Sequence, residues 1–180
     1  TDRRSQLTEG QTGFRVVKYR GSTERQLNMK ILILFGSMTG NAEDCAHQLG
    51  ARLESEGHDV SVEDMADVTP DRLKEEKTVF VSISTWGDGD PPDCIEGIWE
   101  GVVEEANFDL SHIQYSVLAL GDTAYEKFCE AGKAIDAAFE KQGAKRIIDR
   151  VDCDVYYDDD VEKWINSVSG TLEANAPAMN

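Results

Sequence analysis

The sequence predicts an α/β fold with a doubly wound, five-stranded parallel sheet in the order 2-1-3-4-5. Two observations predict it. Short apolar runs of strand length, such as residues 31–35 and 117–120, alternate with segments whose apolar residues recur at helical spacing. That alternation implies parallel pairing with helices on both faces of the sheet. In this order the chain reverses direction between strands one and three, which opens a crevice at the carboxyl ends of the strands, where such sheets bind ligands.

Residues 1–29 are polar, with Gly10, Gly13, Gly21 and scattered arginines, and only 14–19 has the composition of a strand, either an added edge strand or part of a tail. Residues 30–172 form the expected domain. Strand one spans 30–35, and a helix follows over 42–56 with Ala46, Leu49 and Leu53 at helical spacing and Gly57 at its end. Residues 59–63 alternate as strand two. Thr69-Pro70-Asp71 reads as an N-cap with proline in the first turn of a short helix, ending before strand three at 78–83. Pro91-Pro92 starts a helix through Ile95, Ile98, Trp99 and Val102. Strand four is 115–120, a helix runs over 127–142 to Gly143, strand five is 146–151, and the last helix is 161–172. Residues 173–180 read as a frayed end.

Composition excludes several classes. A chain of 180 residues with 40% hydrophobic content buries a full core as one domain. Its apolar runs fall far short of the ~20 residues that span a bilayer, and its polar N-terminus lacks a signal-peptide core, so a soluble, cytoplasmic protein is expected, acting as a monomer. Cys45, Cys94, Cys129 and Cys153 are widely spaced and match neither a disulfide framework nor a zinc site. His47, His58 and His112 are isolated, and the acidic run Asp158-Asp159-Asp160 lacks the glycine and closing glutamate of a calcium loop, so no metal is expected. A net charge of −17 argues against nucleic acid, which basic residues must neutralise. It serves solubility or docks a basic partner.

Chemistry concentrates in three loops that leave strands one, three and four: Ser37-Met38-Thr39-Gly40-Asn41-Ala42, Ser84-Thr85-Trp86-Gly87-Asp88-Gly89-Asp90, and Leu120-Gly121-Asp122-Thr123-Ala124-Tyr125. The first holds no lysine or arginine, and none follows until Arg52, so an anion there is held by backbone N–H groups, hydroxyls and a helix N-terminus. The lysine-bearing nucleotide-hydrolase loop and the G-x-G-x-x-G pattern are both absent, which favours a single terminal phosphate. Trp86 and Tyr125 follow strand ends, where large exposed aromatics fit the two faces of a flat isoalloxazine ring. Gly87 and Gly89 allow a peptide beside the ring to flip and present either C=O or N–H as flavin N5 changes protonation.

Together with Phe128-Cys129, Gly132-Lys133 and Asp149-Arg150-Val151-Asp152, these strings resemble the flavodoxin-like FMN domains of diflavin reductases, the sulfite reductase flavoprotein above all. The resemblance covers residues 30–170. It implies that Ser37, Thr39, Asn41 and Ala42 hold the FMN phosphate, that Thr85 and Asp122 reach the ribityl chain or phosphate edge, and that Trp86 and Tyr125 sandwich the ring. Cys129 either approaches the ring or is a small core residue. Trp86 stands where the family pattern leads one to expect tyrosine, phenylalanine or glutamine.

The expected function is FMN-dependent shuttling of single low-potential electrons from a flavin reductase to redox partners with a basic docking face. The chain is then an electron carrier or the FMN domain of an oxidoreductase, free-standing or excised, rather than a self-sufficient enzyme. A carboxylate 10 Å from the ring contributes about 0.4 kcal/mol against its anionic reduced form in water. Asp88, Asp90, Asp93, Asp122 and Glu126 acting together lower the potential for the second electron. The alternatives are an FMN-dependent NAD(P)H:quinone reductase and a regulatory module that has lost the cofactor.

Overall fold

The computed structural model describes residues 28–175, so the expectations for 1–27 and 176–180 lie outside the described residues. The elements are β1 (Lys30–Gly36), α1 (Asn41–Ser55), β2 (Asp59–Asp64), β3 (Thr78–Ser84), α2 (Glu96–Trp99), β4 (Gln114–Leu120), α3 (Glu130–Lys141), β5 (Lys145–Arg146), β6 (Val151–Cys153) and α4 (Asp158–Ala174). All strand pairs are parallel, in the order β2-β1-β3-β4-β5, with β6 also pairing β4. This is the expected topology.

Alternation along the central strands decides which helix covers which face. Ile31, Ile33 and Phe35 pack with Phe80, Leu118 and the apolar stripes of α1 and α4, while Leu32, Leu34, Val79 and Val81 pack with Ile98, Val102, Ile135 and Phe139. A sheet buried on both sides reads as continuous apolar runs, which is why its strands were legible. Among the described residues no helix is long and apolar enough to cross a membrane.

Four segments differ from the sequence expectation by more than one residue. The segment after Pro92 is helical but irregular: a 3-10 turn at Asp93–Ile95, one α turn, then a π segment at Glu100–Glu105 closed by Ala106 at φ 47°. Gly97 and Gly101 weaken α-helix formation there. A Cβ on Gly101 would lie 2.4 Å from Pro70 Cγ, so this backbone presses against the 3-10 turn Pro70–Glu75. Next, α3 starts at Glu130 rather than 127, because Cys129 is left-handed at φ 57°. Strand five is split into β5 and β6, and the detour between them is pinned from α3. There Asp136 accepts hydrogen bonds from Arg146 Nε at 2.8 Å and from an Arg150 terminal N–H at 2.6 Å. Finally, α4 takes in the acidic run at its start, where negative charge suits the helix dipole, and continues to Ala174.

Register sets the site. Gly36 pairs with Ile83, Ile83 with Ala119, and Leu120 with Cys153. The loops after β1, β3, β4 and β6 therefore emerge side by side at one end of the sheet.

Candidate functional site

Gly36 ends β1 where a Cβ would already meet Ile83 Cγ1 at 3.3 Å, and the chain then turns sharply. Ser37 Oγ accepts the Gly40 N–H at 3.0 Å, and Gly40 caps α1 at φ 90°, a conformation that costs an L side chain roughly 1–2 kcal/mol. No side chain caps α1, so its first-turn N–H groups are left facing outward for an acceptor. A Cβ on Gly40 would find nothing within 4 Å, so the space beside this turn is open. Ala42 is buried and anchors the helix, while Met38, Thr39 and Asn41 are exposed.

Loop two is a closed miniature hairpin. Trp86 N–H donates to Asp90 O at 2.8 Å, Asp90 N–H donates back to Trp86 O at 2.8 Å, and Gly89 N–H also reaches Trp86 O at 2.9 Å. Left-handed Gly87 (φ 48°) and Gly89 (φ 99°) make the reversal possible. The Gly87–Asp88 peptide takes no part in these bonds. At its base, Ser84 Oγ donates to Gly36 O at 3.2 Å, and Thr85 Oγ1 accepts the Ala131 N–H at 3.2 Å, capping the start of α3. Thr85 thus ties the loop to a helix besides facing the cleft.

Loop three is packed from behind. A Cβ on Gly121 would lie 2.9 Å from Cys129 N, so only glycine fits there. Cys129 is buried, its thiol donates to Ala119 O at 3.3 Å, and burial pushes its pKa up to about 12. It is a core residue, the second of the two expected possibilities. Phe128 is half-buried beneath the Lys133 ammonium, 5.9 Å from the ring centroid. Asp122 turns on itself: its Oδ1 accepts the Ala124 N–H at 2.8 Å and its carbonyl accepts the Tyr125 N–H at 3.1 Å. Asp154 clamps the loop from the β6 side, accepting from the Thr123 N–H at 3.1 Å and the Thr123 hydroxyl at 2.5 Å. Those two bonds hold its carboxyl below the usual range.

Between these loops lies an open cleft of about 370 Å³. Of the expected residues, Thr39, Asn41, Ser84, Thr85, Trp86, Gly87, Leu120, Gly121, Asp122 and Tyr125 line it. Ser37, Met38, Gly40, Ala42, Asp88, Gly89, Phe128 and Cys129 do not; the first four shape the α1 turn, and the others close or back the two aromatic loops. Lys127, Val155 and Tyr157 also line the cleft and were missed. The sequence places Lys127 in a helix that in fact begins at Glu130, and Val155 and Tyr157 fall between strand five and the last helix, where only the acidic residues stand out. The rule that singled out Trp86 and Tyr125, an aromatic just after a strand end, also applies to Tyr157.

Among the described residues the exposed large apolar side chains are Met38 (49%), Trp86 (40%) and Tyr125 (61%) on these loops, and Val155 (50%) and Tyr156 (94%) on the segment after β6. Apolar surface gathered at one place marks a binding site. A helix N-terminus without a side-chain cap beside an open left-handed glycine turn suits one phosphate, and two exposed aromatics suit a flat ring, so the residues present fit FMN.

The family model described as flavodoxin matches residues 33–164. The sulfite reductase [NADPH] flavoprotein alpha-component of Bacillus subtilis is 38% identical over 159 residues, 84% of this chain and 26% of that protein. The alpha-component of the same name from Thiocapsa roseopersicina is 37% identical, over 88% of this chain and 30% of that one. The chain thus spans under a third of the length of these curated relatives. A Streptococcus pneumonia TIGR4 flavodoxin structure superposes with a TM-score of 0.73 at 30% identity, covering 82% of this chain and 99% of that one. The topology, the loop geometry and these matches agree: the chain belongs to the flavodoxin family, whose cofactor is FMN.

Proposed function

We propose that residues 30–172 form an FMN-carrying unit that accepts single electrons from an NADPH-linked flavin reductase and passes them to a redox protein. FMN supplies chemistry that takes and gives electrons one at a time. The observation that carries this reading is the placement of Trp86 and Tyr125 as exposed aromatics across a cleft from the uncapped start of α1.

The residues divide the work along the cleft. Thr39, Asn41 and the first-turn N–H groups of α1 bind the phosphate, with Ser37 holding the turn that aims them. Thr85 and Asp122 line the cleft and would hold the ribityl chain or the phosphate edge. Trp86 and Tyr125 orient the ring and exclude water from its faces. The Gly87–Asp88 peptide, outside the hairpin's hydrogen bonds, is free to turn C=O or N–H toward N5 and so hold or release a proton there.

Acidic residues around the mouth, among them Asp88, Asp90, Asp122 and Glu126, suit a partner with a basic docking face. The relatives' name supports a sulfite reductase setting, in which a separate catalytic component receives the electrons. Free, buried Cys45, Cys129 and Cys153 fit a reducing, cytoplasmic setting, with the unit acting as a monomer.

Anaerobic stepwise reduction of the FMN-loaded protein tests the proposal. Two resolved one-electron steps with dithionite, no reduction by NADPH alone, and rapid reduction once a flavin reductase is added are expected. Direct NADPH oxidation with a quinone would overturn it in favour of a self-sufficient reductase.

A further inference from the structure

Among the described residues, Lys127 is the sole basic one that lines the cleft. Its stem lies flat on the second loop: a Cβ on Gly89 would stand 2.8 Å from Lys127 Cδ and 2.9 Å from its Cβ. The side chain therefore bridges the loop that carries Trp86 and the loop that carries Tyr125, at the ring end of the cleft rather than the phosphate end.

Its charge is uncommitted. Several lysines with carboxylates within reach pair with them, as in Lys30–Glu76, Lys74–Asp71 and Lys163–Asp160. Lys127 has Glu126 and Glu130 close by in sequence, yet it makes no hydrogen bond or ion pair with any described residue; Glu130 turns to Lys133 instead, at 3.6 Å. In a chain of net charge −17, a lysine that faces a cleft without a carboxylate partner offers its charge to whatever fills that cleft.

We propose that Lys127 is the residue that sets the second one-electron potential of the bound cofactor, by stabilising the fully reduced anionic ring against the surrounding acidic field. The proposal rests on the FMN reading above. A bound ring that is neutral after one electron and one proton would gain one negative charge on taking a second electron from the reductase with no proton following to N1. A nearby ammonium stabilises that product and not the neutral state before it. The first step, neutral to neutral, is left almost unchanged. Lys127 thus opposes Asp88, Asp90, Asp122 and Glu126, which all disfavour the same anion.

Spectroelectrochemistry of the FMN-loaded protein decides the matter, with Lys127→Met, Lys127→Arg and Lys127→Glu beside the wild type. Lys127→Met keeps a stem over Gly89 and loses only the charge. It is expected to weaken binding of the fully reduced cofactor relative to the half-reduced one about fivefold, which is a fall of about 40 mV in the second couple. The first couple and the affinity for oxidised FMN stay near wild type. Lys127→Arg restores the second couple, and Lys127→Glu roughly squares the loss. Equal shifts in both couples, no shift in either, or an arginine variant that behaves like methionine would each overturn the assignment. Wild-type protein that takes up no FMN overturns the functional reading itself, and the inference with it.

Discussion

Gly40 and Ser82 are opposite cases of one residue governing its surroundings. Gly40 sits at φ 90° with open space where a Cβ would go, so Gly40→Ala meets backbone strain and no steric clash. It is expected to cost about 1 kcal/mol of stability by denaturant unfolding and to weaken FMN more than riboflavin, because only FMN uses the phosphate cradle. Ser82 is buried in β3, and its hydroxyl finds no hydrogen-bond partner among the described residues. Ser82→Ala removes that unsatisfied group and raises stability by about 1 kcal/mol, read as a higher denaturant midpoint. Trp86 acts through its face alone. Trp86→Ala loosens FMN about tenfold in a fluorescence titration, while Trp86→Phe retains most of the affinity.

At the scale of elements, the end of the sheet is held to α3 chiefly by one carboxylate, Asp136, with Glu140 accepting a further bond from Arg146 at 3.2 Å. Asp136 is buried and takes bonds from Arg146, Arg150 and the Tyr115 hydroxyl, which lies 2.9 Å from its Oδ1. Asp136→Ala leaves two guanidiniums and a buried phenol without their shared acceptor, and costs about 3 kcal/mol in thermal or denaturant unfolding. Split pairing along β4 explains why strand five was misread. Residues 146–151 have the composition of one strand, yet Arg146 and Arg150 turn toward α3 and pull the chain out of the ladder between β5 and β6. Local composition likewise foretold a helix after Pro92, but its π turn depends on the approach of Gly101 to Pro70, which is far away in sequence. The buried strands and the glycine-rich loops were legible because each carries its own signal, apolar run or turn residue. Lys127 was not, since its place depends on the left-handed Cys129, and a positive φ at a cysteine leaves no mark in the sequence.

For the whole molecule, charge is the dominant feature. With 35 acidic against 18 basic residues the chain repels itself, so the thermal midpoint is expected to rise from low to moderate salt as screening sets in. Acid works on particular groups. Burial would raise the pKa of Glu76, but hydrogen bonds from Lys30 and Arg72 outweigh it and hold the carboxyl below its ordinary 4.5. Its stabilising contribution is complete above that value and is lost as pH falls through the lowered folded-state one. His58 is buried and its pKa lies below the ordinary 6.5, mainly through burial, with Glu56 pulling the other way. It favours the fold while neutral, so stability begins to decline as pH drops below 6.5 and declines further once Glu76 protonates. A pH series of unfolding midpoints shows these two stages, and Glu76→Gln reduces the second, which Glu56 and Asp154, also held below the ordinary carboxylate range, share. The same loss of charge bears on the one end of the molecule where Met38, Trp86, Tyr125, Val155 and Tyr156 stand exposed. Among the described residues these side chains share the end of the sheet where the cleft opens, so acid that strips the chain's repulsion is expected to make copies associate through that end, and a ligand that covers Trp86, Tyr125 and Val155 is expected to slow it.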